Sequence, residues 1–418
     1  MKRVTCILIV SLLLQKLHAQ QQGQTPVYFQ FATQQNRAKL YKKFIDTTIR
    51  QSLSDPLADS TEGEWNEAFW AMELIVYKND FSKQKLTQAW QQANNLSEYF
   101  QKNLIEVSYA LYPMEFKKYA ASLLNVTNSE PVFIRCAEYL LRADLNSSTS
   151  VEKLIQTKFK NSDNPGIIIL QNRIAVIKRS VVLPPLKDIF SKDFFKNQTV
   201  IYSLQRKNRD YPGLVIIRKP DGKFIKNKNG SIFHVSQLAR AVTNYPFYIT
   251  NGNTPQGIFR WTGFEISKLS FIGPTPNLQL KLPIEAKPSV FFSDSTLLNT
   301  GWQKNMYASM LPSSWKNYEG IYESFYAGIM GRNEIIMHGT TVDPAYYKGQ
   351  LYYPQTPSLG CLCSYEEWNS KGERVKSNQQ QIVDGLNEID SSNGYVVVIE
   401  LSDEKKAVSI ADVQEFLK

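Results

Sequence analysis

Histidine and cysteine are scarce in this chain, three and four among 418 residues. No C-x-x-C or H-E-x-x-H spacing occurs, so three or four side-chain ligands for zinc are not on offer, and neither a metal nor a cofactor is expected. Long apolar runs are missing too. The run Ile7 to Leu14 is well short of the roughly 20 residues that a spanning helix needs. With Lys2 and Arg3 before it and Leu17-His18-Ala19 after it, residues 1–19 have the pattern of an export signal. Cys6 precedes the apolar run instead of closing it, so lipid attachment is not expected. The mature chain is therefore expected to be exported, periplasmic or extracellular, without a transmembrane span. No RNP, zinc-finger or helix-turn-helix signature appears, which together with export argues against nucleic acid as a partner. The net charge of +10 is spread over the chain and suits an acidic wall polymer.

What is present is ordinary globular material: 43% hydrophobic residues, 21% charged, and 22 Tyr, 22 Phe and 7 Trp to fill cores and line grooves. The length allows two domains. From Gln34 to about Lys178 apolar residues recur at three and four, as in Leu40, Phe44, Ile45 and Ile49, which predicts helices. Further helices are expected over Leu86–Val107, Glu115–Leu124, Pro131–Arg142, Val151–Phe159 and Gly166–Ile177. Residues 20–190 thus read as a helical domain, similar to an α-helical repeat array, whose role would be scaffolding or binding a protein partner. Pro184 and Pro185 form a stiff boundary. Beyond it the period becomes alternating, with strands expected at Val200–Leu204, Leu214–Arg218, Phe224–Lys226, Pro246–Thr250, Gly257–Phe259, Glu334–His338 and Tyr395–Leu401. Helices are expected at Ser313–Met330 and Gln379–Ile389. The fold class is α+β, an all-α domain followed by a mostly β domain over 195–418, in which two β-layers with small helices are the natural packing.

Once residues 1–19 are set aside, the nucleophiles and bases reduce to Cys136, Cys361, Cys363, His234 and His338. Cys136 sits in the apolar frame Phe133-Ile134-Arg135-Cys136-Ala137 and reads as helix packing; His234, between Phe233 and Val235, reads as structural. The informative stretch is Glu334-Ile335-Ile336-Met337-His338-Gly339-Thr340, then Thr356-Pro357-Ser358-Leu359-Gly360-Cys361-Leu362-Cys363. A buried strand delivers His338 and a Gly turn delivers Cys361. A thiol attacks only as thiolate, and imidazole is its usual base, so the two are expected to pair.

This stretch resembles the active-site signature of the L,D-transpeptidase (YkuD) family, a His-Gly followed downstream by Ser-x-Gly-Cys. A second block, Tyr248-Ile249-Thr250-Asn251-Gly252-Asn253-Thr254-Pro255-Gln256-Gly257-Ile258-Phe259, resembles the family's Thr-Pro-x-Gly-x-Phe turn. The resemblance covers residues 198–385 and implies a β-sandwich and an acyltransferase acting on peptidoglycan stem peptides. Cys361 would attack the carbonyl at the L-centre of a tetrapeptide stem, expel the terminal D-alanine and pass the acyl group to an amine. His338, its ring held by the Gly339 carbonyl, would be the base, amides around Leu359, Gly360 and Cys361 would hold the oxyanion, and Ser358 would brace the turn. Two positions depart from the family pattern: Leu359 stands where a second His is common, and Cys363 where an Arg or Asn is. Cys363 is therefore either a packed substitute or a thiol able to react with an oxidised Cys361. Residues 260–337, with Trp261, Trp302, Tyr307, Trp315 and Tyr318, read as an enlarged lid or groove wall, each of these aromatics being expected in a core more than in contact with a ligand. A hydrolase using the same thiol and a catalytically silent wall-binding scaffold are the alternatives to a cell-wall transpeptidase.

Overall fold

A computed structural model describes residues 27–179 and 181–417; the expected export signal lies outside them. The helical spacing becomes α1 (Gln34–Lys43, continued by a π-helical stretch Phe44–Gln51), α2 (Glu62–Leu74), α3 (Asp80–Gln92), α4 (Glu98–Leu111), α5 (Lys117–Val126), α6 (Glu130–Ala143), α7 (Ser148–Lys158) and α8 (Pro165–Ile177). Side-chain caps start several of them: Asn79 accepts from the Ser82 amide at 3.0 Å, Ser97 from Phe100 at 3.1 Å and Asn164 from Gly166 at 2.8 Å. The single helix expected over Leu86–Val107 is two. The chain leaves the helix at Ala93–Asn95, and Ser97, its amide held by Glu62 at 2.9 Å, caps the start of α4. No described helix is long and apolar enough to cross a membrane.

After the short α9 (Leu186–Phe190) come β1 (Val200–Gln205), β2 (Gly213–Arg218), β3 (Val235–Leu238), β4 (Gly257–Glu265) and β5 (Asn277–Lys281). Short helices α10 (Pro288–Phe292), α11 (Lys304–Ser309) and α12 (Glu323–Ile329) follow, then β6 (Ile336–His338), β7 (Leu362–Ser364), the hairpin β8 (Glu366–Trp368) and β9 (Arg374–Ser377), α13 (Asn378–Asn387) and β10 (Gly394–Glu400). The chain is α+β, with helices first and strands after. All strands but β8 and β9 belong to one sheet. They close into a barrel in the order β1-β10-β4-β5-β6-β7-β3-β2, because parallel β1–β10 and β6–β7 pairings join what would otherwise be sheet edges.

Other expectations fail for local reasons. Phe224–Lys226 makes only isolated bridges. Ser313–Met330 breaks into the turns Ser313–Trp315 and Glu319–Tyr322 before α12. Trp261, Tyr307 and Trp315 are fully buried core residues: Tyr307 and Trp315 pack on the faces of β1 and β10 that point away from the core holding Trp261. Pro246–Thr250 is not a strand but part of a loop, 244–253, with Asn244 and Asn251 at positive φ. This loop drives its aromatics into the helical half. Tyr245 stacks on Tyr109 with ring centroids 4.2 Å apart, and the Tyr248 hydroxyl donates to Glu138 at 2.7 Å, where Arg173 also binds through two bonds of 2.8 and 3.2 Å. Residues of both halves therefore share one hydrophobic core.

Candidate active site

Cys361 precedes β7 and His338 ends β6, and these two strands are parallel neighbours with Met337 opposite Leu362 and His338 opposite Cys363. Met337 and Leu362 are fully buried in the core. By the alternation of a strand, Ile336, His338 and Cys363 lie on the other face, and Cys361 is the residue just before β7. The two residues singled out by the motif are thus brought to the same parallel strand pair, His338 at the end of β6 and Cys361 at the entry to β7. Their side chains are not hydrogen-bonded to each other among the described residues. The Cys361 thiol points to the Glu334 carbonyl at 3.6 Å and receives the Ile336 amide at 3.5 Å. It is partly exposed, whereas Cys136 and Cys363 are buried.

His338 is buried, and its Nδ1 meets the Gly339 carbonyl at 2.5 Å. That bond fixes the tautomer, with the proton on Nδ1 and Nε2 left as the basic atom. Burial lowers the ring's pKa from its ordinary value, and the bond to Gly339 opposes this only in part, so the imidazole is neutral at neutral pH. Burial pushes the Cys361 thiol up; the Ile336 amide and the Arg332 cation pull it back. The resting pair is a neutral thiol beside a neutral imidazole.

The turn before the cysteine is tightly made. Ser358 Oγ donates to the Cys361 carbonyl at 2.8 Å and accepts the Gly360 amide at 3.1 Å. The Gly360 amide, expected as an oxyanion donor, is therefore occupied, while the Leu359 amide, at the exposed tip, has no acceptor among the described residues. Gly360 has φ +116°, which side-chain-bearing residues rarely adopt, and a Cβ there would lie 2.3 Å from Arg332 Nη2. The Gly360 carbonyl accepts from Thr254 Oγ1 at 2.9 Å. In this way the Thr-Pro-x-Gly block fastens the cysteine turn, and its Gly257, at φ +126°, is pressed against Ser324 and Tyr307.

Two residues of this site carry no signal in the local sequence. Arg332, from the turn before β6, donates to the carbonyls of Gly252 at 2.9 Å, Asn253 at 2.8 Å and Phe247. Glu366, on β8, sits against Gly339, where a Cβ would lie 2.3 Å from the carboxyl carbon, and it accepts the Thr340 amide at 3.1 Å. Cys363 turns instead to Thr356 Oγ1 at 3.6 Å, and burial pushes its thiol up to about 12. His234 is exposed, with Nδ1 at 2.9 Å from the Ile232 carbonyl, away from the site. No family model, curated protein or solved structure matches the chain.

Proposed function

We propose that the chain is a cysteine acyltransferase of the L,D-transpeptidase type acting on peptidoglycan stem peptides outside the cytoplasm. The observation that carries this reading is that a partly exposed thiol, Cys361, stands at the entry to β7, beside the parallel strand β6 that ends in His338, whose Nε2 is left free to act as a base. In the first half-reaction Nε2 takes the thiol proton as Sγ bonds to the carbonyl carbon at the L-centre of a tetrapeptide stem. The oxyanion is held by the amides of Leu359 and Cys361. The C–N bond to the terminal D-alanine breaks, and His338 returns the proton to the leaving amine, leaving a thioester. In the second half an amine of a neighbouring stem attacks, His338 takes its proton, and the sulfur leaves with the proton restored. The sandwich fold that the motif implies is matched here only as far as the α+β class, since the sheet is a closed barrel.

One observation favours a second reading, a silent wall-binding scaffold: the thiol rests on the Glu334 carbonyl instead of on the imidazole, and burial holds it protonated. Incubating the mature protein with sacculi rich in tetrapeptide stems and separating the muropeptides by mass spectrometry decides between them. Cross-linked dimers that vanish in Cys361→Ala support the transpeptidase; shortened stems without dimers point to a hydrolase; an unchanged profile overturns both enzymatic readings and supports the scaffold.

A further inference from the structure

The Arg332 guanidinium is buried and bonded only to neutral carbonyls, those of Phe247, Gly252 and Asn253. Among the described residues no carboxylate hydrogen-bonds to it or forms a salt bridge with it. A cation buried without an anionic partner is costly unless a charge nearby offsets it. The flat guanidinium lies against Gly360, in the space that a side chain there would fill, and the next residue is Cys361. We propose that Arg332 is the positioning residue of the nucleophile, fixing the 252–253 loop under the cysteine turn and holding a permanent positive charge that the Cys361 thiolate completes as an ion pair. The proposal rests on reading Cys361 as the nucleophile.

The surroundings favour this role. Where the family motif commonly has an Arg or Asn two residues after the cysteine, this chain has Cys363, and Arg332 brings a positive charge to the turn. The groups facing the sulfur are few. The Ile336 amide donates to it and the Glu334 carbonyl accepts from it; the Glu334 carboxylate opposes its ionisation; Cys363 follows two residues on and His338 ends the neighbouring strand; and Glu323, at the start of α12, is the acid within reach of Arg332. Burial lowers the Arg332 pKa to about 10, and an ionised Cys361, more than Glu323, acts to raise it again. On ionisation the sulfur gives up the Glu334 contact and keeps the amide and the cation, both of which favour thiolate. A side chain at 360 would meet Arg332 Nη2 and the Gly252 carbonyl, so glycine there leaves the guanidinium its place against the turn.

The test is the pH profile of Cys361 alkylation by iodoacetamide in the full mature chain, with mass spectrometry assigning the modified cysteine. Arg332→Gln should raise the midpoint of the profile by about one pH unit or more, so that modification at neutral pH slows roughly tenfold. Arg332→Lys, which keeps the charge and loses the forked bonds, should keep the midpoint within about half a unit while losing stability. A parental midpoint in Arg332→Gln, with circular dichroism showing it folded, overturns the proposal. The unmodified protein gives a reading that survives a folding failure of the variants. Beside a fixed cation, anionic iodoacetate should gain on neutral iodoacetamide relative to the ratio found with free glutathione, and a ratio at or below that of glutathione overturns the proposal. Neither measurement involves acyl transfer, so an inactive enzyme and a misassigned arginine are separate outcomes.

Discussion

Gly339 follows His338, and its φ is not in the left-handed region, so its backbone does not demand glycine. Space does. A Cβ at 339 would lie 2.3 Å from the Glu366 carboxyl carbon and 2.5 and 2.6 Å from its oxygens. A flexible acid could swing aside, but this one is pinned: it accepts from Thr275 Oγ1 at 2.5 Å, Ser377 Oγ at 2.6 Å and the Thr340 amide at 3.1 Å, with Arg374 at 3.8 Å. Gly339→Ala must displace the carboxylate and break some of these bonds, each contributing on the order of 1 kcal/mol or more. A loss of about 2–4 kcal/mol in unfolding free energy is expected. Glu366→Ala should cost a similar amount, because it leaves buried hydroxyls unpaired. In the double variant the space is free, and alanine at a permitted φ should add no more than about 0.5 kcal/mol to the cost of Glu366→Ala. Urea unfolding of the four proteins gives the coupling directly, expected at about 2–3 kcal/mol in the compensating direction. Additive costs, within about 0.5 kcal/mol, would refute the claim that Glu366 is why glycine follows the histidine.

Native protein at neutral pH should be alkylated at Cys361 alone, with Cys136 and Cys363 reacting only after unfolding, because both are buried and burial raises both thiols; native modification of Cys363 as fast as Cys361 would contradict the arrangement of β7. Burial pushes the Glu323 carboxyl from its ordinary 4.5 up to about 8, so the folded chain keeps a proton that the unfolded chain releases, and this group's contribution falls as pH rises from about 4.5 to 8. Glu323→Gln should therefore gain in melting temperature relative to the parent across that window, and a constant difference from pH 5 to 8 would show that the group is not perturbed. Glu138→Gln should cost about 2–4 kcal/mol, below the full penalty for breaking a buried pair because Arg173 is 31% exposed, and should make the 244–253 loop more sensitive to protease; unchanged proteolysis would mean that the loop does not depend on that pair.

The parts of the fold and site that could be read from the sequence are those set by neighbours along the chain. Helix spacing, the caps and first-turn prolines at Pro131 and Pro165, and the β-branched runs of β1, β2 and β10 are local signals, and the elements lie within a few residues of where those signals fall. The same holds for the turn at Ser358 and Gly360, where a hydroxyl and a positive φ are needed by the turn itself. The 244–253 loop misleads because burial of Tyr245, Phe247, Tyr248 and Ile249 produces the same apolar run whether the chain is a strand or a loop packed under helices. Barrel closure is equally invisible, since it depends on parallel pairings between β1 and β10 and between β6 and β7, which leave no mark on either partner.

What binds the site together is long-range. Thr254 holds Gly360, Arg332 holds Gly252 and Asn253, and the loop that supplies those carbonyls is anchored through Tyr248 to Glu138 and Arg173 on α6 and α8. The chain of contacts therefore runs from the middle of the helical half to the residue before Cys361 without leaving hydrogen-bonding distance for more than a few backbone steps. The nucleophile proposed at Cys361 would need its neighbours held to within a fraction of an ångström, and a loop without secondary structure cannot supply that rigidity by itself. The helices supply it here. Although the hydrophobic period changes near residue 190, the division it marks is one of local structure, and the core beneath the cysteine turn is built from both sides of it.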